Sequence, residues 1–246
     1  MIGLEVIGNE RLSPSFARLT LGGADLAHLE DSGFDQCVRL FFPRPGQPGL
    51  RLPTLDNDAW LAQVLLQPKA RRPFVRNYTV RAFRPDELEL DIDFVCHGTA
   101  GVAGPWAESV EPGTEVAFID QGCGWAPVPA DWSLLVADES GLPAVLGILR
   151  DLPRDAVGHA IVELIDAADA QDVDAPAGMT LHWVSRAEGG TALDRLRSLD
   201  WPAGTPYAFA VGESKIATGA RRYLVGERGV PKGNVTFCGY WKAGKA

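Results

Sequence analysis

Hydrophobic positions change rhythm about half-way along the chain. In the first half they alternate with polar ones: "SFARLTLGG", "RNYTVRAF" and "LELDIDFVCHG" read as strands with one face turned inward, and "QCVRLFFP" as a short, dense strand. Turn-forming stretches such as "PRPGQPG" separate them, a pattern that predicts a small antiparallel barrel or sandwich. In the second half the apolar runs become continuous. "WSLLVA", "HAIVELI", "TLHWVS", "PYAFAV" and "NVTFCG" predict buried strands, and "LPAVLGILRDL", "TALDRLRSL" and "ESKIATGARRYLVGER" predict helices among them. Strand and helix in alternation imply a parallel sheet with helices on its faces. The seam falls in "GWAPVPADW", where two prolines interrupt both rhythms, and two domains are expected, residues 1–128 and 129–246.

Composition narrows the partners. With 246 residues, 46% hydrophobic and 22% charged, the chain is an ordinary globular protein. Its formal charge of -9 argues against nucleic acid, since no basic surplus exists to displace phosphate counterions. A basic pocket for small anions is still compatible with an acidic body. The start, "MIGLEVIGNERLS", lacks the pattern of a signal peptide, and no apolar run approaches the roughly 20 residues that span a bilayer. Cys37, Cys96, Cys123 and Cys238 are dispersed, without CxxC or histidine at metal spacing. They are expected as reduced thiols of a cytoplasmic monomer with no membrane partner and no resident metal.

The chemistry concentrates in residues 72–83, "RPFVRNYTVRAF". Strand alternation puts Arg76 and Tyr78 on one face, about 6.6–6.8 Å apart, and Asn77, Thr79 and Arg81 on the other. A guanidinium beside an aromatic plane suits a flat ring that carries a phosphate. From this stretch alone an exposed face of Arg and Tyr accounts for it equally well. The strand "LELDIDFVCHG" then leads into "TAGVAGPWAESV", where small residues precede a short helix expected to begin at Pro105. Such a helix start offers backbone N–H groups and a positive dipole end to an anion.

"RNYTVR" matches the Arg-x-Tyr-Thr flavin signature of the ferredoxin–NADP reductase superfamily. Together with "DIDFVCHG", "GVAGPWA", "ADESGLPA" and "GYW", in that order from about Ser13 to Trp241, the chain resembles the siderophore-interacting proteins, FAD-dependent ferric-siderophore reductases. The resemblance implies a six-stranded antiparallel FAD barrel followed by a Rossmann-like domain that binds NADPH or NADH. It implies Arg76 on an FAD phosphate, Tyr78 against the isoalloxazine and Thr79 near its N5 edge. Asn77, Asp93, Val95, His97 and Gly98 would border the cofactor, and Gly101, Val102, Ala103 and Trp106 would cradle the pyrophosphate. Asp138 and Ser140, in "ADESGLPA", would meet the nicotinamide dinucleotide, and Arg39 and Lys242 a ferric siderophore.

The chain departs from the family's pattern in places. No GxGxxG is present, Asp138 and Glu139 would repel a nearby pyrophosphate, and Arg186 is the nearest cation, read more plainly as a surface arginine. "DQGCGWAP" has Gly122 and Cys123 where relatives commonly carry Gly-Pro-Arg-Gly. Some relatives take electrons from ferredoxin instead of a nicotinamide. Two other functions fit the same residues: a flavin reductase with another acceptor, and a siderophore-binding protein without turnover.

Overall fold

The alternating segments of the first half form one antiparallel sheet. In the computed structural model, which describes residues 1–47, 49–54, 59–96 and 101–244, its strands are β1 (Ile2–Ser13), β2 (Phe16–Gly22), β3 (Cys37–Phe42), β4 (Phe74–Thr79), β5 (Ala82–Arg84), β6 (Glu89–Val95) and β7 (Glu115–Asp120). Their order is β4-β3-β7-β1-β2-β6-β5, so the two edge strands are consecutive in the chain. Val80 donates its N–H to the Gln36 carbonyl at the start of β3 (2.8 Å), and the next residue, Arg81, donates to Asp91 of β6 (2.8 Å). A two-residue step thus hands the ladder from one edge to the other and closes the sheet into a barrel. Counting β4 and β5 as one bent strand recovers the six expected.

The barrel core is the inward set of each strand, including Leu19, Leu21, Val38, Leu40, Leu90, Ile92, Phe94 and Phe118, none of them exposed. Removing each of these side chains from water contributes about 1.5–3 kcal/mol before chain entropy is counted. Helix α1 (Trp60–Leu66) lies in the connection between β3 and β4, and α2 (Ala103–Ser109) follows β6. Helix α2 begins at Ala103, two residues before the expected Pro105, which still falls in the first turn where its missing N–H is harmless.

The second half follows the predicted alternation: β8 (Trp132–Asp138), α3 (Leu142–Asp151), β9 (Val157–Leu164), β10 (Gly178–Ser185), α4 (Ala192–Arg197), β11 (Pro206–Glu213), α5 (Ser214–Gly226) and β12 (Val235–Trp241). The strands pair in parallel in the order β10-β9-β8-β11-β12. Strand β8 has β9 on one side and β11 on the other, so the winding reverses there, and ligands of such sheets bind outside the carboxyl ends at that point. Every residue of β11 is buried, which explains its unbroken apolar run.

By contact density the chain divides into one unit of Met1–Leu12, Phe16–Ser32 and Gln36–Gly122, and a second of Ser13–Ser15, Gly33–Asp35 and Cys123–Ala246. Two short stretches from the first half therefore belong to the second unit. Within that unit, Phe34 has φ 47° and its N–H donates to the Asp151 carboxylate at the end of α3 (2.5 Å). Its carbonyl oxygen lies 2.0 Å from where a Cβ on Gly147 of α3 would sit. Alanine at 147 gains about 1 kcal/mol of helix propensity. The forced backbone shift costs more, typically 1–3 kcal/mol in a packed site and occasionally beyond. Gly147→Ala is therefore expected to lower the urea midpoint of the second unit; an unchanged or raised midpoint would contradict this packing.

The same unit holds two stacked histidines on β9 and β10. His159 Nδ1 lies 3.2 Å from His182 Nε2, and Arg195 donates to His182 Nδ1 (3.1 Å). An arginine can only donate, so His182 carries its proton on Nε2 and passes a hydrogen bond to His159. Burial and the Arg195 charge hold both rings below the usual 6.5, His182 down to about 4. As pH falls below 6.5 the unfolded chain takes up these protons before the folded one does, so stability is lost towards pH 4. The urea midpoint of His182→Gln is expected to fall less steeply than wild type across that window, and parallel pH profiles would refute the linkage.

Candidate functional site

Strand register settles which way the "RNYT" side chains point. Arg76 pairs with Leu40, Tyr78 with Val38 and Phe74 with Phe42, so these share the face of the barrel core. Asn77 and Thr79 pair with Arg39 and Cys37 on the opposite face. Arg76 is nevertheless exposed, and its guanidinium donates only to the Val75 carbonyl (2.8 Å), with no carboxylate partner among the described residues. Tyr78 is half-buried, its ring 4.2 Å from that of Phe94. Burial pushes the Tyr78 phenol up, which the Arg76 charge offsets only in part, so it stays protonated.

The aromatic contacts continue into the helix. Phe94 lies 5.8 Å from the buried Trp106 of α2, Trp106 lies 4.5 Å from Phe42, and Phe42 lies 5.4 Å from Phe74. This run ties β4, β6, α2 and β3 into one rigid wall. Gly104 brings the first turn of α2 against β6: a Cβ there would lie 3.0 Å from the Val95 carbonyl oxygen. Before the helix, Gly101 has φ 85°, which favours glycine, and a Cβ on it would meet nothing within 4 Å. Val102 is the N-cap, Ala103 opens the helix, and no side chain caps its amides. An unpaired guanidinium, an aromatic plane on the same strand face and an uncapped, cleared helix start are the parts that a dinucleotide carrying a flat ring requires, so these residues fit FAD.

Other predicted residues fall elsewhere on this unit. The Asp93 carboxylate lies on the outer face in a two-pronged ion pair with Arg18 (2.7 and 2.9 Å) and a longer one with Arg81 (3.8 Å), so what it presents beyond these cations is backbone. Thr79 is buried and Asn77 exposed, Asn77 accepting from Arg39 Nε (3.2 Å). Arg39 also stands over the Trp60 ring at 5.2 Å. His97 and Gly98 lie outside the described residues. A groove of about 820 Å³ opens on β1, β2, β6 and β7, but Glu5, Glu87, Glu89 and Glu115 line it and would repel a diphosphate.

In the second unit, Asp138 ends β8 and is fully buried. Its carboxylate accepts from Ser140 N–H (2.8 Å) and Oγ–H (2.6 Å), from Glu213 N–H (2.6 Å) and from Trp241 Nε1–H (2.9 Å). Gly212, φ 113°, makes room for it, since a Cβ there would sit 2.5 Å from Asp138 Oδ1. Glu139 pairs with Arg186 (2.7 Å), which also reaches Glu163 (3.0 Å). Burial and the Asp138 charge push the Glu139 carboxyl up while Arg186 pulls it back. The two acids are thus engaged internally, and Arg186, expected as a surface arginine, is the bridge between β9 and the turn after β8. Lys242 is exposed just past β12, and Cys123 is exposed with Sγ 3.3 Å from the Gly33 carbonyl oxygen.

Family models match the two halves: a siderophore-interacting FAD-binding domain over residues 5–124 and a siderophore-interacting protein over residues 130–244. The ferric vibriobactin reductase ViuB of Vibrio cholerae is 31% identical over 98% of this chain and 89% of its own. The NADPH-dependent ferric-chelate reductase of Escherichia coli is 33% identical over 98% and 92%. The crystal structure of a siderophore utilization protein from T. fusca is 34% identical, covers 99% of this chain and 93% of that one, and superposes with a TM-score of 0.83.

The chain belongs to the siderophore-interacting protein family.

Within that family's FAD-binding half, the observed wall contains the strand and helix that sequence reading had singled out. In the siderophore-interacting half, the hub around Asp138 was only partly foreseen. Trp241 meets Asp138 across 103 positions and Arg186 meets Glu139 across 47. No spacing rule joins residues so far apart. Asp138→Ala removes one acceptor from four donors in a dry site and is expected to cost about 3–5 kcal/mol, with Asp138→Asn between it and wild type. Urea unfolding of the three proteins checks this, and a loss below about 1 kcal/mol for the alanine variant would mean the hub is not what holds the switch point together.

Proposed function

We propose that the chain is an FAD-dependent ferric-siderophore reductase, with residues 1–128 holding FAD and 129–246 receiving the electron donor. The observation that carries this reading is the wall of β4 and α2, where the unpaired Arg76, the Tyr78 ring and the uncapped start of α2 share one aromatic core. FAD held there would supply the redox chemistry, accepting a hydride from NADPH or NADH, or single electrons from two reduced ferredoxins, and releasing electrons singly to ferric iron.

The protein's own part is binding and orientation. Arg76 supplies a charge-assisted contact to phosphate, and the backbone amides from Gly101 to Gly104, with Trp106 packed behind them, receive the rest of the diphosphate. Tyr78 offers its ring face to the flavin, and Asn77, Thr79, Asp93 and Val95 are assigned to border it through their backbone. No acid or base is required of the chain, because electron transfer to iron moves no proton at carbon. Arg39 and Lys242 are the cations assigned to an anionic ferric siderophore, a soluble small-molecule partner. Hard-oxygen chelators hold iron(II) far less tightly than iron(III), so reduction releases the metal. Asp138 and Ser140 are assigned to the nicotinamide side; with both side chains bonded to each other, the contact they offer a dinucleotide is the backbone of the turn.

Purified protein incubated with FAD is expected to be yellow and to bleach anaerobically when NADPH, NADH or reduced ferredoxin is added, the three donors being compared directly. With a ferric siderophore present, iron(II) should appear in a ferrous-chelator trap. Arg76→Ala and Tyr78→Ala are each expected to weaken FAD about 10- to 100-fold. A protein that stays colourless with FAD yet binds ferric siderophore would instead be a binding protein, and this reading would fail.

A further inference from the structure

Helix α1 is a surface element without a charged side chain. Residues 59–68, "AWLAQVLLQP", contain no Asp, Glu, Lys or Arg. Trp60 and Val64, one turn apart, face the barrel: Trp60 packs edge-on against Phe41 at 5.3 Å, and Val64 is buried. The opposite stripe is apolar as well, and it faces solvent: Leu61 is 48% exposed, Leu65 55% and Leu66 86%. A helix that is apolar all round is ordinarily covered on all sides.

The surroundings of α1 carry the opposite charge to the rest of the chain. Residues 39–76 hold seven of the 23 Lys and Arg but only two of the 32 Asp and Glu. Arg39 stands over Trp60 of the helix. Arg72 donates to the carbonyls of Leu65 and Gln67 at its end, and Arg44 donates to the Arg72 carbonyl (2.7 Å). Lys69 and Arg71 follow the helix directly and are exposed. None of these five makes an ion pair with a carboxylate among the described residues, whereas Arg11, Arg18, Arg84, Arg150, Arg154, Arg186 and Arg197 elsewhere each do.

We propose that α1 and the unpaired cations that flank it form a docking surface for a membrane rich in anionic lipid, with Leu61, Leu65 and Leu66 entering the acyl boundary and Lys69 and Arg71 meeting headgroup phosphates. Apolar side chains flanked by cations match a layer whose surface is anionic and whose interior is hydrocarbon. A second copy of the chain fits poorly, since it would bring the same cations face to face. An acidic protein satisfies the charges but not three adjacent leucines with no polar group between them. The sequence expectation of no membrane partner rested on the lack of a spanning run; an element that lies on the surface needs none.

Co-sedimentation of the full chain with vesicles tests this. The protein is expected to bind vesicles of phosphatidylcholine with phosphatidylglycerol, to ignore phosphatidylcholine alone, and to be released by salt. Leu61→Ser, Leu65→Ser and Leu66→Ser together, and separately Lys69→Glu with Arg71→Glu, are each expected to weaken binding by about tenfold or more, with far-UV circular dichroism unchanged. If the leucine variant does not fold, the charge variant decides. Absence of binding to the anionic vesicles, or binding that survives the charge reversal, overturns the proposal. So does a dimer by light scattering that the leucine changes dissolve, or retention on poly-glutamate without vesicle binding, which would assign the surface to a second copy or to an acidic protein.

Discussion

Closure of the barrel at Val80 and Arg81 is the constraint on which the rest of the first unit depends. Had β4 and β5 continued as one straight strand, the sheet would present two open edges and the "RNYT" segment would be one of them. Passing the ladder from Gln36 to Asp91 within two residues bends the chain, satisfies both edges and fixes the facing of everything before the bend. Arg76 and Tyr78 point to the core face because of that register. The core face at that point is completed by Phe94 of β6 and Trp106 of α2, and Arg76 on the same face is exposed. A one-residue slip would put Asn77 and Thr79 there instead.

The two units treat charge in opposite ways. In the second, carboxylates are drawn inward and each is matched: Asp138 by four donors, Glu139 and Glu163 by Arg186, Asp169 by Ser13 and Ser15. Such a network orders the ends of parallel strands, although Glu139 Oε2 is buried with no hydrogen-bond partner among the described residues. In the first unit, the outer barrel face uses the same device, with Arg18 on Asp93 and Arg84 on Asp91. The stretch between β3 and β4 does not. Its cations are held by backbone carbonyls and aromatic rings, contacts that place them without neutralising them. Unneutralised cations leave this side of the barrel locally basic on a chain of net charge -9.

Much of the architecture was legible because each half obeys one period. The strands of the parallel sheet carry dense apolar runs such as "LLVA", "AIV" and "AFAV", and the helices between them repeat at 3.6, so the two were told apart. What escaped was whatever lacked a period of its own. Strand β7, "EVAFID", is too short to show alternation, and β1 mixes glycine and charge into its run. Helix α1 has one glutamine and no charged residue, so it shows no polar face to detect.

At the candidate site, alternation by itself put Arg76 and Tyr78 on one side, and small residues around Gly101 marked a turn before α2. Those are local properties, fixed by the pleat and by the freedom of a residue without Cβ. Tertiary structure decided which charges were available. Asp93, Asp138, Glu139 and Arg186 look alike in sequence to any exposed acid or base, and only the fold brings Arg18, Trp241 and Glu163 to them from 75, 103 and 23 positions away. Availability depends on partners, and partners across that distance are set by how sheets close and wind, which local spacing does not encode.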